Sequence, residues 1–484
     1  MRRRMTGALA VVLILATVLA ACSGNNGNNG NGGDSPANQQ ANSPANTGGE
    51  TNAGTNEGRE NDGTAPAADG KLSGTIEMWV KNDDKQRYID ASAKFMEMHP
   101  DVKFNIIEFP GFGEINDKFL TNTAAGGEVP DLLATSDPYS YPDGLVEDLL
   151  APPYDAGKYQ DQFASAMWER WKSYDGKKLY GLPSDLPLVV TYYRADVFEQ
   201  AGFPSDPDEV GEFLKSEENL LNLAQALKAE DKYVFENDGK GSALMLYMEG
   251  LPWFDRDLTR FVRNSDEVAK GIELARKVRQ LNLFSGESMW GDGGKAQMNS
   301  GKLAMIVMAT WFYPTQMKEQ LKESAGKWRM TVMPFGRGAT AGGSTLAIPA
   351  GSDNKAAAWA FNAYANATVE GVEYTLKNNM FPAFKPAWES PLVKDNSEPF
   401  FGGQNILQVY AKASDAIKEP YYPTPIDTHA DWVFNNGESQ LMIWDAIDKN
   451  IDAKQYLKSV EEEAFKRAKN DLNKILAERA MEKQ

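Results

Sequence analysis

Short apolar runs alternate with amphipathic segments along the chain from Lys71 onward. Apolar residues that recur every three or four positions are typical of helices, and compact runs rich in β-branched residues are typical of buried strands. The pattern predicts a strand, a helix, a strand, a helix and a strand at residues 75–80, 85–99, 102–109, 115–125 and 131–135. Strands that alternate with helices in this way indicate a parallel sheet with helices on both faces.

The loops after these strands are the expected place for a ligand, because parallel α/β sheets bind ligands beyond the carboxyl ends of their strands. Asn82, Asp83 and Asp84 follow the first strand, and Asp137 follows the third. We therefore expect these four side chains at a ligand site. Asn and Asp are also preferred at helix N-caps, so helix capping is the alternative for each of them.

The first 22 residues have the three-part layout of a secretory signal. Arginines 2–4 precede an uncharged run that ends at Leu19-Ala20-Ala21-Cys22, and Cys22 is the only cysteine of the chain. The run is shorter than the roughly 20 residues that a membrane-spanning helix needs. Its end resembles the bacterial lipobox, in which the cysteine is diacylated and the peptide is cut just before it. We expect residues 1–22 to be a lipoprotein signal peptide, with an uncleaved membrane anchor as the alternative.

Residues 23–70 contain no aromatic residue and consist mainly of Asn, Gly, Ala, Pro, Ser and Thr. Such a segment cannot bury enough apolar surface to offset the entropy lost on ordering. A Gly-rich coil of this length would span about 35–40 Å. We expect a disordered tether between the lipid on Cys22 and a folded body at 71–484, which is long enough to require two lobes.

The chain carries a net charge of −18. Loss of the signal peptide would remove its three arginines and make the net charge still more negative. Nucleic-acid binding is therefore not expected, because it needs clustered Lys and Arg. The same charge disfavours direct contact with an anionic membrane, so only the lipid would hold the protein there. These features predict an outward-facing protein on the cell membrane, at a bacterial surface or in a periplasm.

Catalytic and metal-binding patterns are scarce. The two histidines, His99 and His429, are isolated from one another and from any acid cluster with metal-ligand spacing. Residues 336–341 match a dinucleotide fingerprint only in part, and 290–295 lack P-loop spacing, so we interpret both as loops. We expect no metal, no cofactor and no enzymatic activity. Paired-carboxylate glycosidase chemistry stays open, because 68 acidic residues guarantee that some lie close together.

Residues 180–198 read YGLPSDLPLVVTYYRADVF and are followed by Ala201-Gly202-Phe203-Pro204. This stretch resembles the "YGLP…LYYNKDLF" and "AG" segment of the family 1 extracellular solute-binding proteins. Further pieces resemble segments of that family in the same order, at 130–133, 144–149, 298–305, 333–336 and 342–348. The chain departs from the family pattern at Arg194, where Asn is usual, and at 309–310, where a glycine usually occurs.

The resemblance implies a type II periplasmic-binding-protein-like α/β fold, with two doubly wound lobes joined by a hinge. It places the first lobe at about 72–187 and 335–385, and the second at about 188–334 and 386–484. The hinge would lie near 184–188 and 333–340, and the lobes would close around a ligand. We expect a long helix at 451–483, with apolar positions such as Tyr456 and Leu476, to pack on the second lobe, with partner binding as the alternative.

The resemblance also implies that ring faces and carboxylates hold the ligand, as in most sugar sites. Trp311 matches the family's aromatic position, and Trp253 and Glu249 match another contact region. For both tryptophans, packing in a core is the alternative. Asp185 beside the hinge is expected either to bind ligand or to set the turn. Gly343, like Gly342, is expected to approach the ligand or to serve turn geometry.

The function predicted is a lipid-anchored substrate-binding protein that hands a sugar or oligosaccharide to the permease of an ABC importer and its ATPase. We expect a monomer. Alternatives are the same architecture with a non-sugar solute such as a polyamine, peptide or metal chelate, a sensor, and an extracellular carbohydrate-active enzyme.

Overall fold

The structure is a computed structural model that describes residues 71–137, 141, 144–418 and 420–482. The predicted signal peptide, Cys22 and the tether lie outside the described residues. The described strands are β1 (Gly74–Lys81), β2 (Val102–Phe109), β3 (Leu132–Thr135), β4 (Leu182–Pro183), β5 (Val189–Arg194), β6 (Met305–Ala309), β7 (Trp328–Val332) and β8 (Thr345–Ala347).

Helices cover much of the remaining described chain. They are α1 (Lys85–Met98), α2 (Phe112–Ala124), α3 (Ser165–Trp171), α4 (Ala195–Gln200), α5 (Pro207–Phe213), α6 (Glu217–Lys228), α7 (Lys240–Met248), α8 (Asp266–Gln280), α9 (Asp292–Ser300), α10 (Lys318–Gln320), α11 (Lys355–Ala367), α12 (Val369–Lys377), α13 (Pro391–Lys394), α14 (Ile406–Asp415), α15 (Asp427–Asn435), α16 (Ile443–Asp448) and α17 (Ala453–Glu482). Among these helices, none combines the length and the apolar character that crossing a membrane requires.

A five-stranded sheet, in the order β2-β1-β3-β8-β4, forms the first lobe. β1 pairs in parallel with β2 over its full length, from Gly74 opposite Val102 to Lys81 opposite Phe109, and also with β3. The five elements predicted between residues 75 and 135 are thereby confirmed. The parallel pairing expected for these three strands is confirmed as well, and β8, which the pattern did not predict, joins the sheet antiparallel to both β3 and β4.

A three-stranded sheet, in the order β6-β5-β7, lies in the second lobe and is antiparallel throughout. The description of both lobes as doubly wound therefore fits the first sheet better than the second. Adjacent residues of β5 face opposite sides, since side chains alternate along a strand. Tyr192 lies in one apolar cluster and Tyr193 in the other.

Two apolar clusters form the cores. The first contains β1, β3 and α3, extends through Phe381, Phe401 and Tyr410, and covers one face of the second sheet. The second contains α6, α7, α8, α15 and α17. Trp168 and Trp171 of α3 are 1% and 0% exposed, so this face of α3 is buried in the first core.

The long C-terminal helix α17 packs on the second lobe, as predicted. Tyr456, Leu457 and Val460 are buried in the second cluster. Leu476, expected on the same apolar face, is 47% exposed. The buried stripe of α17 continues through Ala464 and Ala468 to Ile475. Leu476 is one residue further, so it is rotated by about 100° around the helix axis and leaves the stripe.

Glycine-rich residues 290–295, which we interpreted as a loop, contain the first turn of α9. A Cβ atom on Gly294 would lie 2.0 Å from the backbone oxygen of Ser288. The glycine therefore permits a close approach of two backbone segments at the start of a helix, rather than marking a loop. Residues 336–341 begin with the last residue of a 3-10 turn, Pro334–Gly336, and otherwise form only an isolated bridge between Thr340 and Leu188.

The chain passes between the two sheets at residues 184–188, which follow β4, and at residues 333–344, which follow β7. These two passages run side by side. The Val189 amide donates to the Ala339 carbonyl at 2.9 Å, and the Ala341 amide donates to the Pro187 carbonyl at 3.0 Å. A third passage, residues 416–426, links α14 to α15. The hinge expected at 184–188 and 333–340 remains a prediction.

Candidate functional site

Several of the predicted site residues lie along one strip of backbone between the two sheets, residues 339–344, which we call the crossing segment. Trp311 donates from Nε1 to the Ala341 carbonyl at 3.0 Å. Asp185 accepts hydrogen bonds from Ser344. Gly250, the neighbour of Glu249, packs so closely that a Cβ atom there would lie 2.8 Å from Cβ of Ala339. The crossing segment therefore brings together residues that are far apart in sequence.

Trp311 follows β6 and is half-buried. Its ring lies nearly parallel to that of Trp290, with 6.3 Å between the centroids and 21° between the planes. Phe312 packs edge-on against Trp290 at 5.4 Å. Trp290 is 37% exposed, so part of this ring pair faces solvent. Sequence reasoning missed Trp290, because the glycines after it concealed the start of a helix.

The acidic turn after β1 places Asp84 in a buried polar network. Asp84 is 6% exposed and pairs with Arg87 at 3.3 Å. Arg87 in turn donates to the Ser344 hydroxyl at 3.2 Å, and Asp185 accepts from the Ser344 amide at 2.7 Å and from its hydroxyl at 2.8 Å. Burial raises the pKa of Asp84, and the positive charge of Arg87 opposes that shift. This network joins the turn after β1 to the passages at 184–188 and 333–344.

The side chain of Asp84 occupies the N-cap position of α1 without capping it by a hydrogen bond. The capping alternative therefore does not describe Asp84, which bonds Arg87 instead. Asn82 and Asp83 are exposed beside it. The carboxylate of Asp83 pairs with Lys81 at 2.8 Å. The backbone N–H of Asn82 continues the pairing with β2 by donating to the Phe109 carbonyl at 2.9 Å.

Glu249, at the end of α7, lies among charged groups from several elements. Burial raises the pKa of its carboxyl, and the positive charges of Arg263, Arg337 and Arg170 oppose the shift. Arg170 donates to the Ser136 carbonyl at 2.8 Å, directly before Asp137. Its guanidinium also lies over the Tyr421 ring at 5.1 Å. Glu249 of the second lobe and the loop after β3 of the first lobe thus share one electrostatic environment.

Asp427, at the start of α15, belongs to the same environment and was not predicted. Burial raises its pKa to about 7, against the hydrogen bonds from Thr424 and the charge of Arg263, while the negative charge of Asp137 adds to the rise. The Thr424 amide donates to one carboxylate oxygen at 2.9 Å and its hydroxyl to the other at 2.5 Å. Asp137 and Asp427 are 290 positions apart in the sequence, which no local pattern connects.

Trp253 is 6% exposed in the second apolar cluster. The Arg263 guanidinium lies 3.6 Å from its ring centroid, and Phe434 meets it edge-on at 5.4 Å. Because its ring is covered in this way, the geometry favours the packing alternative for Trp253. The ligand contact expected for it stays untested.

Gly343 has a backbone φ of +118°, a conformation that favours glycine. A Cβ atom at this position would also lie 2.3 Å from Cε of Met167. Both facts agree with the alternative that Gly343 serves turn geometry and packing. They do not test whether its backbone approaches a ligand.

Within the described residues, no group of three or more His, Cys, Asp or Glu side chains is placed to hold a metal ion. His99 packs against the Phe95 ring at 4.5 Å, and His429 Nε2 lies 2.8 Å from a carboxylate oxygen of Asp471. The candidate site is instead a set of aromatic faces, carboxylates and guanidinium groups. Such a set suits a neutral polar ligand with apolar patches.

The chain is similar to proteins of known family and fold over most of its length. The family model of bacterial extracellular solute-binding proteins matches residues 90–401, more than half of the chain. The lactose-binding protein of Rhizobium radiobacter is 25% identical over 70% of this chain and 81% of its own length. The arabinooligosaccharide-binding protein of Bacillus subtilis (strain 168) is 23% identical over 74% of this chain and 85% of its own length. A crystal structure of an extracellular solute-binding protein of family 1 shares the fold, with a TM-score of 0.68 and 20% identity over 81% of this chain and 99% of that one.

Proposed function

Because the chain belongs to the bacterial extracellular solute-binding proteins, we propose that it captures a sugar or oligosaccharide between its two lobes and delivers it, chemically unchanged, to the permease of an ABC importer. The observation that carries the proposal is the position of Trp311, Asp185 and Gly250, the neighbour of Glu249, along the crossing segment. The names of the curated relatives support a sugar, since one binds lactose and another binds arabino-oligosaccharides.

The aromatic and polar groups divide the work of recognition. The faces of Trp311 and Trp290 suit the apolar C–H faces of a pyranose or furanose ring. Carboxylates such as Asp84 and Asp185, and the Arg87 guanidinium, suit sugar hydroxyls, which both donate and accept hydrogen bonds. Nε of Arg87 is buried and has no hydrogen-bond partner among the described residues. A buried donor of this kind gains from a ligand oxygen or a water.

Closure would follow from ligand contacts with both lobes at once. A ligand shifts an equilibrium between open and closed forms only through its different affinity for the two. We propose that the passages at 184–188 and 333–340 serve as the hinge, with the first lobe at about 72–187 and 335–385. The second lobe would comprise about 188–334 and 386–484. The closed form is then the one that the permease recognises.

The N-terminal segment would keep this receptor at the membrane. We propose that Cys22 carries the lipid and that residues 23–70 act as the tether. Transport itself would require the permease and its ATPase as separate chains. The protein would release the sugar without cutting it, so no residue is assigned a catalytic role.

A thermal-shift screen tests the proposal directly. The purified protein is heated with lactose, arabinose, arabinobiose, arabinotriose or maltose, and with putrescine and a tripeptide as non-sugar ligands. At least one sugar is expected to raise the melting temperature in proportion to the logarithm of its concentration, because it binds only the folded state. A reducing-sugar assay on the same samples should stay flat. A rise with putrescine or the peptide alone contradicts the sugar assignment, and release of reducing ends contradicts the binding-only role.

A further inference from the structure

A loop of the second lobe reaches across to the first lobe at a point away from the crossing segment. Arg256, three residues after the buried Trp253, donates from Nη2 to a carboxylate oxygen of Glu169 at 2.9 Å and to the Glu169 carbonyl at 3.2 Å. Its Nη1 donates to the Tyr174 carbonyl at 3.3 Å. Glu169 lies on α3, whose Trp168 is buried in the first cluster.

Neighbouring groups hold Arg256 in this position. The Tyr422 ring lies 4.2 Å from its guanidinium carbon. Arg479, near the end of α17, donates to the Arg256 carbonyl at 3.1 Å and to the Asp257 carbonyl at 3.4 Å, and its guanidinium lies over the Tyr174 ring at 4.9 Å. Tyr422, Arg479 of α17 and the Tyr174 backbone, from three separate segments, therefore all contact the loop at Arg256.

The Arg256–Glu169 pair differs from an ordinary surface ion pair. The two side chains are 29% and 27% exposed, and Lys172 also pairs with Glu169 at 3.3 Å. Isolated exposed pairs contribute little, whereas partly buried pairs within a network and with fixed geometry contribute more. Both terminal nitrogens of the Arg256 guanidinium donate hydrogen bonds, and the group also lies over the Tyr422 ring, so its position is well defined.

We propose that Arg256 and Glu169 are positioning residues for ligand capture, which form a clasp that favours the closed arrangement of the two lobes before any ligand binds. The pair stabilises only the arrangement in which the lobes meet. It therefore raises the closed fraction of the free protein and, with it, the apparent affinity for a ligand of the closed form. The link to affinity rests on the proposed function, whereas the effect on closure does not.

The test measures the distance between the lobes without ligand. Spin labels are attached to Lys103→Cys on β2 and Lys270→Cys on α8, both exposed, in the mature protein with Cys22→Ser. Because Cys22 is the only native cysteine, no other site is labelled. Double electron–electron resonance then gives the distance distribution for the parent protein, for Arg256→Gln, for Glu169→Gln and for the exchanged pair Arg256→Glu with Glu169→Arg.

We expect the parent protein to populate a short distance, and each single variant to raise the open-to-closed ratio by about two- to fivefold. The exchanged pair should recover most of the short distance, because the opposite charges again face each other. Molar salt should lengthen the distance in the parent protein and change the single variants less. Recovery by exchange separates a positioning role from general loss of structure.

Arg260→Gln is the matched control. Arg260 is on the same loop, 65% exposed, and lies 3.9 Å from Asp255 of that loop. This substitution removes the same charge and should leave the distance unchanged. Equal distributions in the parent protein and both single variants overturn the clasp, and so does a parent protein that shows only the long distance. Since no sugar is added, a failure of the sugar assignment does not affect either result.

Discussion

At the scale of single residues, the crossing segment holds an aromatic ring and a carboxylate in place. Trp311 is fixed by its bond to Ala341, and Asp185 is fixed by two bonds from Ser344. Both anchors are on the crossing segment, so bending of this segment would act on the positions of both side chains. Under the proposed function, these hydrogen bonds would connect recognition to lobe movement.

Replacing Trp311 by alanine should abolish the sugar-dependent rise in melting temperature. The substitution removes the ring proposed to stack on the sugar but leaves the fold, because Trp311 is only half-buried at the edge of the first cluster. Trp311→Phe is the matched control, since it keeps an aromatic ring, although a smaller one, and loses the bond to Ala341. We expect it to retain part of the rise. An unchanged rise in Trp311→Ala, measured with the sugar found by the screen, would remove Trp311 from the site.

The carboxyl of Asp427 should make stability depend on pH. Its pKa is about 7 in the folded protein, well above the ordinary value of 3.8, because burial disfavours the charged form. The folded state therefore binds more protons than the unfolded state between about pH 4 and 7. The contribution of this protonated carboxyl to the free energy of unfolding is fully present below pH 4 and is lost as the pH rises through 7.

Asp427→Asn should remove this dependence, because the amide stays neutral throughout. The melting temperature of the variant, compared with that of the parent protein, should increase as the pH rises from 4 to 8. Other buried acids such as Asp84 and Glu249 titrate in both proteins, so only the difference between the two is informative. A difference that stays constant with pH would mean that Asp427 is charged in the folded protein.

At the scale of elements, local patterns were enough to predict β1, α1, β2, α2 and β3, because each has its own periodicity. The position of β8 could not be predicted in this way. Its three residues enter the first sheet between β3 and β4 and lie more than 200 positions after β3 in the chain. The same limit applies to the candidate site. Trp311 follows a recognisable strand, whereas the neighbourhood of Arg170 and Tyr421 depends on contacts across about 250 residues.

The helix α17 offers a direct test of packing against partner binding. Leu457 is fully buried and Leu476 is 47% exposed, on the same helix. Leu457→Ala should lower the free energy of unfolding by about 2–5 kcal/mol, because it leaves a cavity in the second core. Leu476→Ala should change it by less than about 0.5 kcal/mol. Denaturant unfolding monitored by circular dichroism measures both, and equal losses would contradict the packing described for α17.

At the scale of the whole molecule, the two lobes share part of one core. The first apolar cluster contains the five-stranded sheet and also Tyr192, Ile306 and Met330 on one face of the three-stranded sheet. Tyr410 of α14 and Phe381 contribute to this shared region, with ring centroids 5.7 Å apart. Movement between the lobes must therefore leave this apolar contact in place.

A shared core predicts that the two lobes unfold together. Calorimetry of the ligand-free protein should show one transition whose calorimetric and van't Hoff enthalpies agree. Leu133→Ala in the first core and Leu457→Ala in the second should each lower the temperature of that single transition, because both leucines are fully buried. Two separate transitions, each sensitive to only one of these substitutions, would show that the apolar contact around Tyr410 is too weak to couple the lobes. In that case closure would depend on the ligand and the clasp alone.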